Sequence, residues 1–423
     1  MPIDLKSEIQ QHFLNWSFEH STRLSAVHSQ LLSLRSVGLV QLANEIASTM
    51  GPVKTQSAGI STALYGNDWL EEFAAGDIVN CLGEEYAIYS DRRCPRIPNG
   101  DLLLMSRILN IEGVRDDFQH TARISAEFEI PANAWFFEGA PNGELPISIM
   151  LEIALQPCGV LSAWLGTQLR FPTVDFFFRN LDGEAHYLRK FDLLGKTIRA
   201  HAELTKTVFS GSTIIQHFNF ELLYGSIPFF KGSSSFGYFP DYSMASQVGI
   251  DSGSSSLPLG KESAIPNKVI KLLSGDLMSY QDIPAGKLRL IDEAHVFPDG
   301  GTHSNGYVMA SRKNSPSDWF YRNHFFQDPV MPGSLGIEAI TQAFKVGVHA
   351  MSGTDTPITL AEGCKFQWKY RGQVLQAHQE MQVEVHILGQ QTINGKKEFT
   401  ADASLWADDI RIYAIKNLKV QQD

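Results

Sequence analysis

The chain has 423 residues, 43% of them hydrophobic and 19% charged, which excludes a globally disordered protein and predicts roughly two or three domains. Its 35 basic and 46 acidic residues give a formal net charge of −11, which argues against nucleic acid as the main partner. Four scattered cysteines without a CxxC pair, a charged N-terminus and the lack of a long apolar run predict a cytoplasmic protein without a disulfide framework or a membrane span.

The first part of the chain, residues 1–70, is predicted to be a helical lead-in. Apolar residues at the 3-4-3 spacing of one helix face are Leu24, Val27, Leu31 and Leu34. Further on, residues 241–261 are rich in serine and glycine, which favours a linker because such residues have small side chains and high backbone entropy. This segment separates two blocks of similar length, residues 75–240 and 262–423.

The two blocks share an ordered set of residues at nearly one offset. The matched pairs are Gly100 with Gly286, Trp135 with Trp319, and Pro146 with Pro332, at offsets of 186, 184 and 186 residues. A common order at one offset indicates an internal repeat. The sequence therefore predicts two copies of one fold.

Each copy combines alternating segments with one long apolar helix. The alternation of apolar and polar residues predicts strands over residues 122–130, 380–388 and 397–407. After the shared proline, residues 148–166 and 334–351 have the apolar spacing of buried helices. One buried helix wrapped by an antiparallel sheet is an α+β architecture. The two sheets are expected to pair as they would in a homodimer of single copies.

The residues of the second copy that can carry chemistry lie between His324 and Gln342. Pro332-Gly333 favours the start of a helix, whose first amides are unpaired and partly positive and can polarise a carbonyl oxygen. Glu338 lies on an otherwise apolar helix face, and Gln342 is one turn later, where it can hold the carboxylate. A histidine, a buried carboxylate and a helix N-terminus together can transfer protons.

The segment HFFQDPVMPGSLGIEAITQ, residues 324–342, resembles the active-site segment of the hotdog-fold β-hydroxyacyl-[acyl-carrier-protein] dehydratases, in which an acidic residue follows the histidine by fourteen positions. The resemblance implies that His324 is the catalytic base and Glu338 its acidic partner. It also implies that the Gly333 amide polarises the thioester carbonyl and that the Val330 carbonyl orients the imidazole. The supporting residues from the same segment are Phe325, Asp328, Pro332 and Gln342.

The first copy resembles the non-catalytic hotdog that precedes the active one in polyunsaturated-fatty-acid synthases and in heterocyst-glycolipid-type polyketide synthases. It departs from the catalytic pattern, with Glu138 or Ala140 at the histidine position and Ile147 at the glycine position. Glu152 and Gln156 are kept at the acidic and glutamine positions. The resemblance therefore implies a double hotdog with one active site, in which the first copy completes the sheet and one wall of an acyl tunnel.

The implied function is dehydration of a 3-hydroxyacyl thioester to the 2-enoyl thioester in fatty acid or polyketide biosynthesis. The implied partners are an acyl carrier protein with a phosphopantetheine-linked acyl chain and other synthase subunits, and a homodimer is open. No nucleic acid, membrane, cofactor or metal is expected. His217, His295 and His303 stand apart from other candidate ligands, which argues against a metal site.

Two other functions stay open at this point. A hotdog acyl thioesterase would hydrolyse the same thioesters and release a free acid. A non-catalytic scaffold would bind a carrier protein inside a larger synthase. Isomerisation of the double bond is not implied, because Asp328-Pro329 is typical of the isomerising branch of the dehydratases whereas glutamate at 338 is typical of the other branch.

Overall fold

The computed structural model describes residues 63–138, 143–262, 270–277 and 280–422. The helix predicted over residues 24–34 and most of the lead-in lie outside the described residues. Within these described residues, the strands are all antiparallel to their neighbours in one 14-stranded sheet. They are β1 Arg107–Glu112, β2 Ala122–Glu129, β3 Phe176–Tyr187, β4 Thr197–Ser210, β5 Thr213–Tyr224, β6 Ile227–Pro240, β7 Ile270–Leu273, β8 Glu293–Phe297, β9 Tyr307–Lys313, β10 Ile358–Leu360, β11 Lys365–Tyr370, β12 Glu380–Ile393, β13 Lys396–Ala407 and β14 Ile410–Gln422.

The helices include one long helix in each half of the sheet. They are α1 Asn67–Ala75, α2 Ile78–Leu82, α3 Ile147–Trp164, α4 Asp241–Ala245, α5 Leu259–Glu262, α6 Ser274–Leu277, α7 Phe320–Asn323 and α8 Gly333–Ser352. Short 3-10 turns lie at Glu84–Tyr89, Gly100–Leu102, Trp135–Phe137, Thr167–Arg170 and Gly286–Leu288. The long helices α3 and α8 follow Pro146 and Pro332, which occupy their N-cap positions. Both helices are buried over most of their circumference, as their apolar composition predicts.

The order of the strands shows the repeat directly. The first half runs β1-β2-β4-β5-β6-β3 and the second β7-β8-β9-β12-β13-β14-β11. Apart from the additional edge strand β7, the order is the same, with α3 and α8 at equivalent places in the chain. The halves join edge to edge, with β3 paired to β11 from His186–Lys365 to Asp182–Lys369. The predicted α+β double hotdog is therefore confirmed.

Equivalent hydrogen bonds hold the two long helices to the segments in front of the sheet. Gln156 on α3 donates to the Leu102 carbonyl (2.7 Å) and accepts from the Leu104 amide (3.0 Å). Gln342 on α8 makes the same pair of bonds to Leu288 (2.8 Å) and Leu290 (3.0 Å). Each buried glutamine thereby fixes the rotation of its helix, which decides which helical side chains face a cavity.

Burial explains the apolar character of α3. The segment Ile147–Arg170 is long and apolar enough to cross a membrane by length and composition, but 83% of its most apolar window is buried inside the protein. One buried cluster contains side chains from both halves of the sheet, whereas a second cluster lies within the first half. The helix thus forms the core of the first hotdog and contributes to the core that the two halves share.

The serine- and glycine-rich segment 241–261 packs on the turn that joins β13 to β14. Asp251 forms an ion pair with Arg411 and accepts a hydrogen bond from Ser256 (2.9 Å). The Ile250 amide donates to the Arg411 carbonyl (2.8 Å). These contacts attach the segment to the second hotdog between the two short helices α4 and α5.

Candidate active site

His324 lies immediately after α7, at the start of the loop that leads into α8. Its Nδ1 is 3.0 Å from the Val330 carbonyl oxygen, and the Val330 amide donates to the His324 carbonyl (2.8 Å). A carbonyl can only accept, so Nδ1 carries the proton and Nε2 presents a lone pair. The structure therefore places Val330 where the resemblance implied, as the group that orients the imidazole.

An ion pair from the other hotdog holds this loop. Arg179 on β3 binds Asp328 through two N–O contacts of 2.6 Å, and both side chains are almost buried. The Arg179 Nε also donates to the side-chain oxygen of Gln373 (2.5 Å). A bidentate pair of a guanidinium and a carboxylate fixes direction as well as distance. The predicted supporting role of Asp328 thus depends on Arg179, a residue that no local pattern in the sequence singled out.

The first turn of α8 lies beside the histidine. Pro332 is the N-cap and Gly333 the first helical residue. A Cβ on Gly333 would lie only 2.8 Å from the Tyr370 ring, so a side chain does not fit without displacing buried groups. The Leu335 amide donates to the Pro332 carbonyl (3.1 Å), whereas the first amides of a helix have no carbonyl four residues before them in the helix and carry partial positive charge. The glycine therefore leaves an amide accessible to a ligand oxygen in the cavity.

The carboxylate that shares the cavity with His324 is Glu152 of the first hotdog. Glu152 lies on α3, and its side chain accepts hydrogen bonds from Ser334 on α8 (2.6 Å) and from Gln156 (3.1 Å). His324, Gly333, Ser334 and Glu152 all line one cavity. The candidate site is thus assembled from both copies of the fold.

Glu338, the expected acidic partner, does not line this cavity. Its carboxylate accepts hydrogen bonds from Ser148 on α3, through the hydroxyl (3.2 Å) and the amide (3.4 Å), and from Gln342 (3.2 Å). It borders a different, smaller cavity with Ile147. Glu338 is five residues beyond Gly333, which turns it about 140° around the helix axis from the start of α8. The structure therefore brings Gln342 to Glu338, as expected, but does not bring Glu338 to His324.

Burial shifts the pKa values of the two titratable groups in the His324 cavity in opposite directions. It lowers the pKa of His324 to about 3, with Arg179 acting in the same direction and the Val330 carbonyl and Asp328 opposing it. Burial raises the pKa of Glu152, and the hydrogen bonds from Ser334 and Gln156 oppose that rise. Both shifts favour the uncharged forms, a neutral imidazole and a protonated carboxyl group.

The cavity has the lining of a ligand site, with a few polar groups among apolar and aromatic side chains. It offers about 110 Å³ of space to the centre of a water-sized molecule. Its predicted members are His324, Phe325, Val330 and Gly333, and it is also lined by Met331, Tyr370 and Tyr413. Among the described residues no group of three or more His, Cys, Asp and Glu side chains is placed to hold a metal ion.

Comparison with known proteins identifies the half of the chain that carries His324. Residues 283–416 match the FabA-like domain. The second hotdog is therefore similar to the FabA-like domain over most of its length. Over 387 residues, the chain is 34% identical to one of the subunits of a polyunsaturated fatty acid synthase from Thraustochytrium sp., a match that covers 83% of this chain and 25% of that protein. The similarity therefore extends beyond the FabA-like domain, and the chain spans about a quarter of the curated relative it matches.

Solved structures with some likeness to the chain include a dehydratase domain of a trans-AT polyketide synthase from Brevibacillus brevis. It is 14% identical, with a TM-score of 0.45, and the match covers 76% of this chain and 98% of that one. An oleoyl thioesterase (putative) from Lactobacillus plantarum is 9% identical, with a TM-score of 0.44 and coverages of 72% and 98%. Likeness at this level does not distinguish a dehydratase from a thioesterase.

Proposed function

We propose that the chain removes water from a 3-hydroxyacyl thioester to give the 2-enoyl thioester, with His324 as base and Glu152 as acid. The observation that carries the proposal is the single cavity in which His324, the Gly333 amide and Glu152 meet. The second hotdog supplies the first two groups and the first hotdog supplies the third. The expected pairing of His324 with Glu338 is replaced by a pairing across the two copies.

The reaction begins with a neutral imidazole and a protonated carboxyl group. His324 Nε2 takes the proton from C2, while the thioester oxygen accepts a hydrogen bond from the Gly333 amide at the positive end of α8. The C2–H electron pair becomes the second bond between C2 and C3, and the C3–O bond breaks. The leaving hydroxyl takes the proton of Glu152 and departs as water. The imidazolium and carboxylate that remain are of opposite charge, and transfer of one proton between them restores the initial state.

The shifted pKa values support this assignment of acid and base. A raised pKa increases the protonated fraction of the Glu152 carboxyl group, which is the form that can donate a proton to a leaving hydroxyl. A histidine that stays neutral keeps the lone pair on Nε2 available for C2. Because Nδ1 is occupied by the Val330 carbonyl, the base points one defined nitrogen into the cavity.

The proposal extends to the carrier of the substrate. An acyl carrier protein that presents the acyl chain on phosphopantetheine is the partner expected of this chemistry. Of the basic residues near the loop, Arg312 is already paired with Asp318 (2.6 Å) and nearly buried, whereas Lys313 and Arg322 are exposed. Docking of an acidic carrier protein is therefore proposed to use exposed cations such as Lys313 and Arg322, since the net charge of −11 opposes it.

The decisive experiment offers the protein a 3-hydroxyacyl thioester and identifies the product. We expect the enoyl thioester, and we expect His324→Ala to abolish its formation. Release of the free acid with the thioester bond cleaved would instead indicate a thioesterase. Absence of both products with a substrate on its carrier protein, together with binding of that carrier protein, would indicate a scaffold.

A further inference from the structure

The cavity that His324 lines and the cavity that Glu338 lines are related by the repeat but differ in size. Applying the offset of 186 residues, the residues of the larger cavity Pro98, Glu152, Leu155 and Gly159 correspond to Pro284, Glu338, Thr341 and Lys345, and all four of the latter line the smaller cavity. The larger one offers about 110 Å³ of space to the centre of a water-sized molecule and the smaller about 30 Å³. The difference therefore arises from the side chains at equivalent positions and not from the fold.

The largest difference in side-chain size between equivalent positions is at Gly159, which corresponds to Lys345. In the second hotdog, Lys345 extends into the equivalent space and its Nζ donates to the Asp282 carbonyl (3.5 Å). In the first hotdog the same position is Gly159, so no side chain extends from α3 into the equivalent space. Leu155 is likewise replaced by the smaller, polar Thr341 in the smaller cavity. At these two positions the larger cavity therefore has no polar side chain, whereas the smaller cavity has two.

Nothing in the backbone requires a glycine at position 159. Gly159 lies inside α3, where its backbone is not in the left-handed region, and glycine in a helix interior costs about 1 kcal/mol relative to alanine. The reason for the glycine is that the neighbouring side chains leave little room for a Cβ atom. A Cβ built at this position would lie 3.2 Å from Ile97 Cγ2 and 3.6 Å from the Phe178 ring, both of which also line the cavity.

The end of the cavity at Gly159 is lined by buried apolar side chains. Phe325, Gly372 and Gln373 line the cavity near the histidine loop and are partly exposed, and Leu155 and Gly159 on α3 are partly exposed as well. By contrast, Ile97, Phe178 and Phe236 are 9% exposed or less. From Glu152 to Gly159 the α3 helix advances seven residues, or about 10 Å, so the apolar space continues well beyond the reacting groups.

We propose that Gly159 sets the length of the acyl chain that the site accepts. The inference rests on the proposed dehydration. In it, the thioester lies at His324 and the Gly333 amide, and the hydrocarbon tail runs along the Leu151–Leu155–Gly159 face of α3 inside the first hotdog. Ile97, Phe178 and Phe236 close the far end. The substrate class is therefore a 3-hydroxyacyl thioester with an apolar tail long enough to reach this end.

The test measures kcat/KM for 3-hydroxyacyl thioesters of graded length, starting from 3-hydroxybutyryl. For Gly159→Met we expect kcat/KM for the longest accepted chains to fall by about tenfold or more, with the shortest chain little affected. Gly159→Ala should give the same trend more weakly, and Gly159→Ala with Ile97→Ala should restore the long chains, because that change removes the atom the new methyl group meets. Lys345→Met at the equivalent position is the matched control and should leave the length profile unchanged.

The outcomes separate this inference from the proposed function. If the native protein dehydrates no thioester of any length, the proposed function fails. If it dehydrates them but Gly159→Met and Gly159→Ala leave the length profile unchanged, or reduce all lengths equally, the length-setting role of Gly159 is wrong. Thermal unfolding of each variant shows whether it has a folding defect. If Gly159→Met is defective, the length profile of the double variant Gly159→Ala with Ile97→Ala decides whether position 159 sets the accepted chain length.

Discussion

Two glutamates occupy equivalent places on the central helices, and each is bound by a serine of the opposite helix. Ser334 binds Glu152 in the cavity of His324, and Ser148 binds Glu338 beside the smaller cavity. Because only Glu152 shares its cavity with the base, we expect Glu152→Gln to lower kcat by at least about 100-fold. Steady-state kinetics with a 3-hydroxyacyl thioester measures the effect.

The control for this prediction is the same substitution at the equivalent residue. Glu338→Gln keeps the shape and can still accept a hydrogen bond from Ser148, and it removes no group from the His324 cavity. We expect kcat to change by no more than about twofold to threefold, since ordinary substitutions away from the reacting groups have small effects. A large loss in Glu338→Gln with an active Glu152→Gln would return the acidic role to Glu338.

The hydrogen bond from Ser334 affects the pH dependence of the proposed reaction through the pKa of Glu152. This bond favours the ionised form of Glu152, so its removal in Ser334→Ala raises the pKa of Glu152 further. Since the protonated form donates to the leaving hydroxyl, activity is lost as pH rises through that pKa. We therefore expect the alkaline limb of the kcat/KM profile to move to higher pH in Ser334→Ala. Ser148→Ala should leave it in place, and a shift to lower pH would contradict the role of Glu152 as acid.

At the scale of elements, the loop of the second hotdog is held by a strand of the first through Arg179 and Asp328. Arg179→Met would leave the Asp328 carboxylate nearly buried without its cation, a change that costs about 3–5 kcal/mol for such pairs. We expect a lower midpoint of urea unfolding and a loss of activity. The double variant Arg179→Met with Asp328→Leu should lose less free energy of unfolding than the sum of the losses in the two single variants. Simple additivity of the two losses would show that the pair is not coupled.

The elements themselves could be predicted because their signals are local. The alternation over residues 380–388 and 397–407 lies within β12 and β13, and the helix predicted over residues 334–351 became α8 with Pro332 as its N-cap. Helix starts of this kind depend on a proline without an amide donor and on neighbouring apolar spacing, both of which are written in consecutive residues. The lead-in falls outside the described residues, so that part of the prediction stays untested.

The acidic residue of the site could not be chosen from one segment, because the choice depends on how two distant helices face each other. The fourteen-residue spacing from His324 to Glu338 is a property of one copy, whereas the cavity lies between the copies. One feature of the sequence does point to Glu152 as the acidic residue. The first copy retains this glutamate although it lacks the histidine and the glycine. For Arg179 no such signal exists, since its partner Asp328 is 149 residues away.

At the scale of the whole molecule, the site depends on the junction of the two half-sheets. The groups of the cavity come from both halves, and one buried cluster also contains side chains from both. Where β3 meets β11, Gly183 is paired with Trp368, whose indole Nε1 donates to Asn180 (3.0 Å). Loss of this junction is therefore expected to remove activity and stability together.

Gly183→Val tests the junction directly. A Cβ at this position would lie 2.3 Å from the Trp368 ring and 2.5 Å from the Ser233 carbonyl oxygen, so the strands must separate to admit a side chain. We expect a clear fall in the midpoint of urea unfolding, with dehydratase activity lost over the same range of urea. Gly389→Val on β12 is the matched control, because a Cβ there meets nothing within 4 Å and its free energy of unfolding should stay within about 0.5 kcal/mol of the native value. Full activity in a destabilised Gly183→Val protein would mean that the cavity does not need the joined sheet.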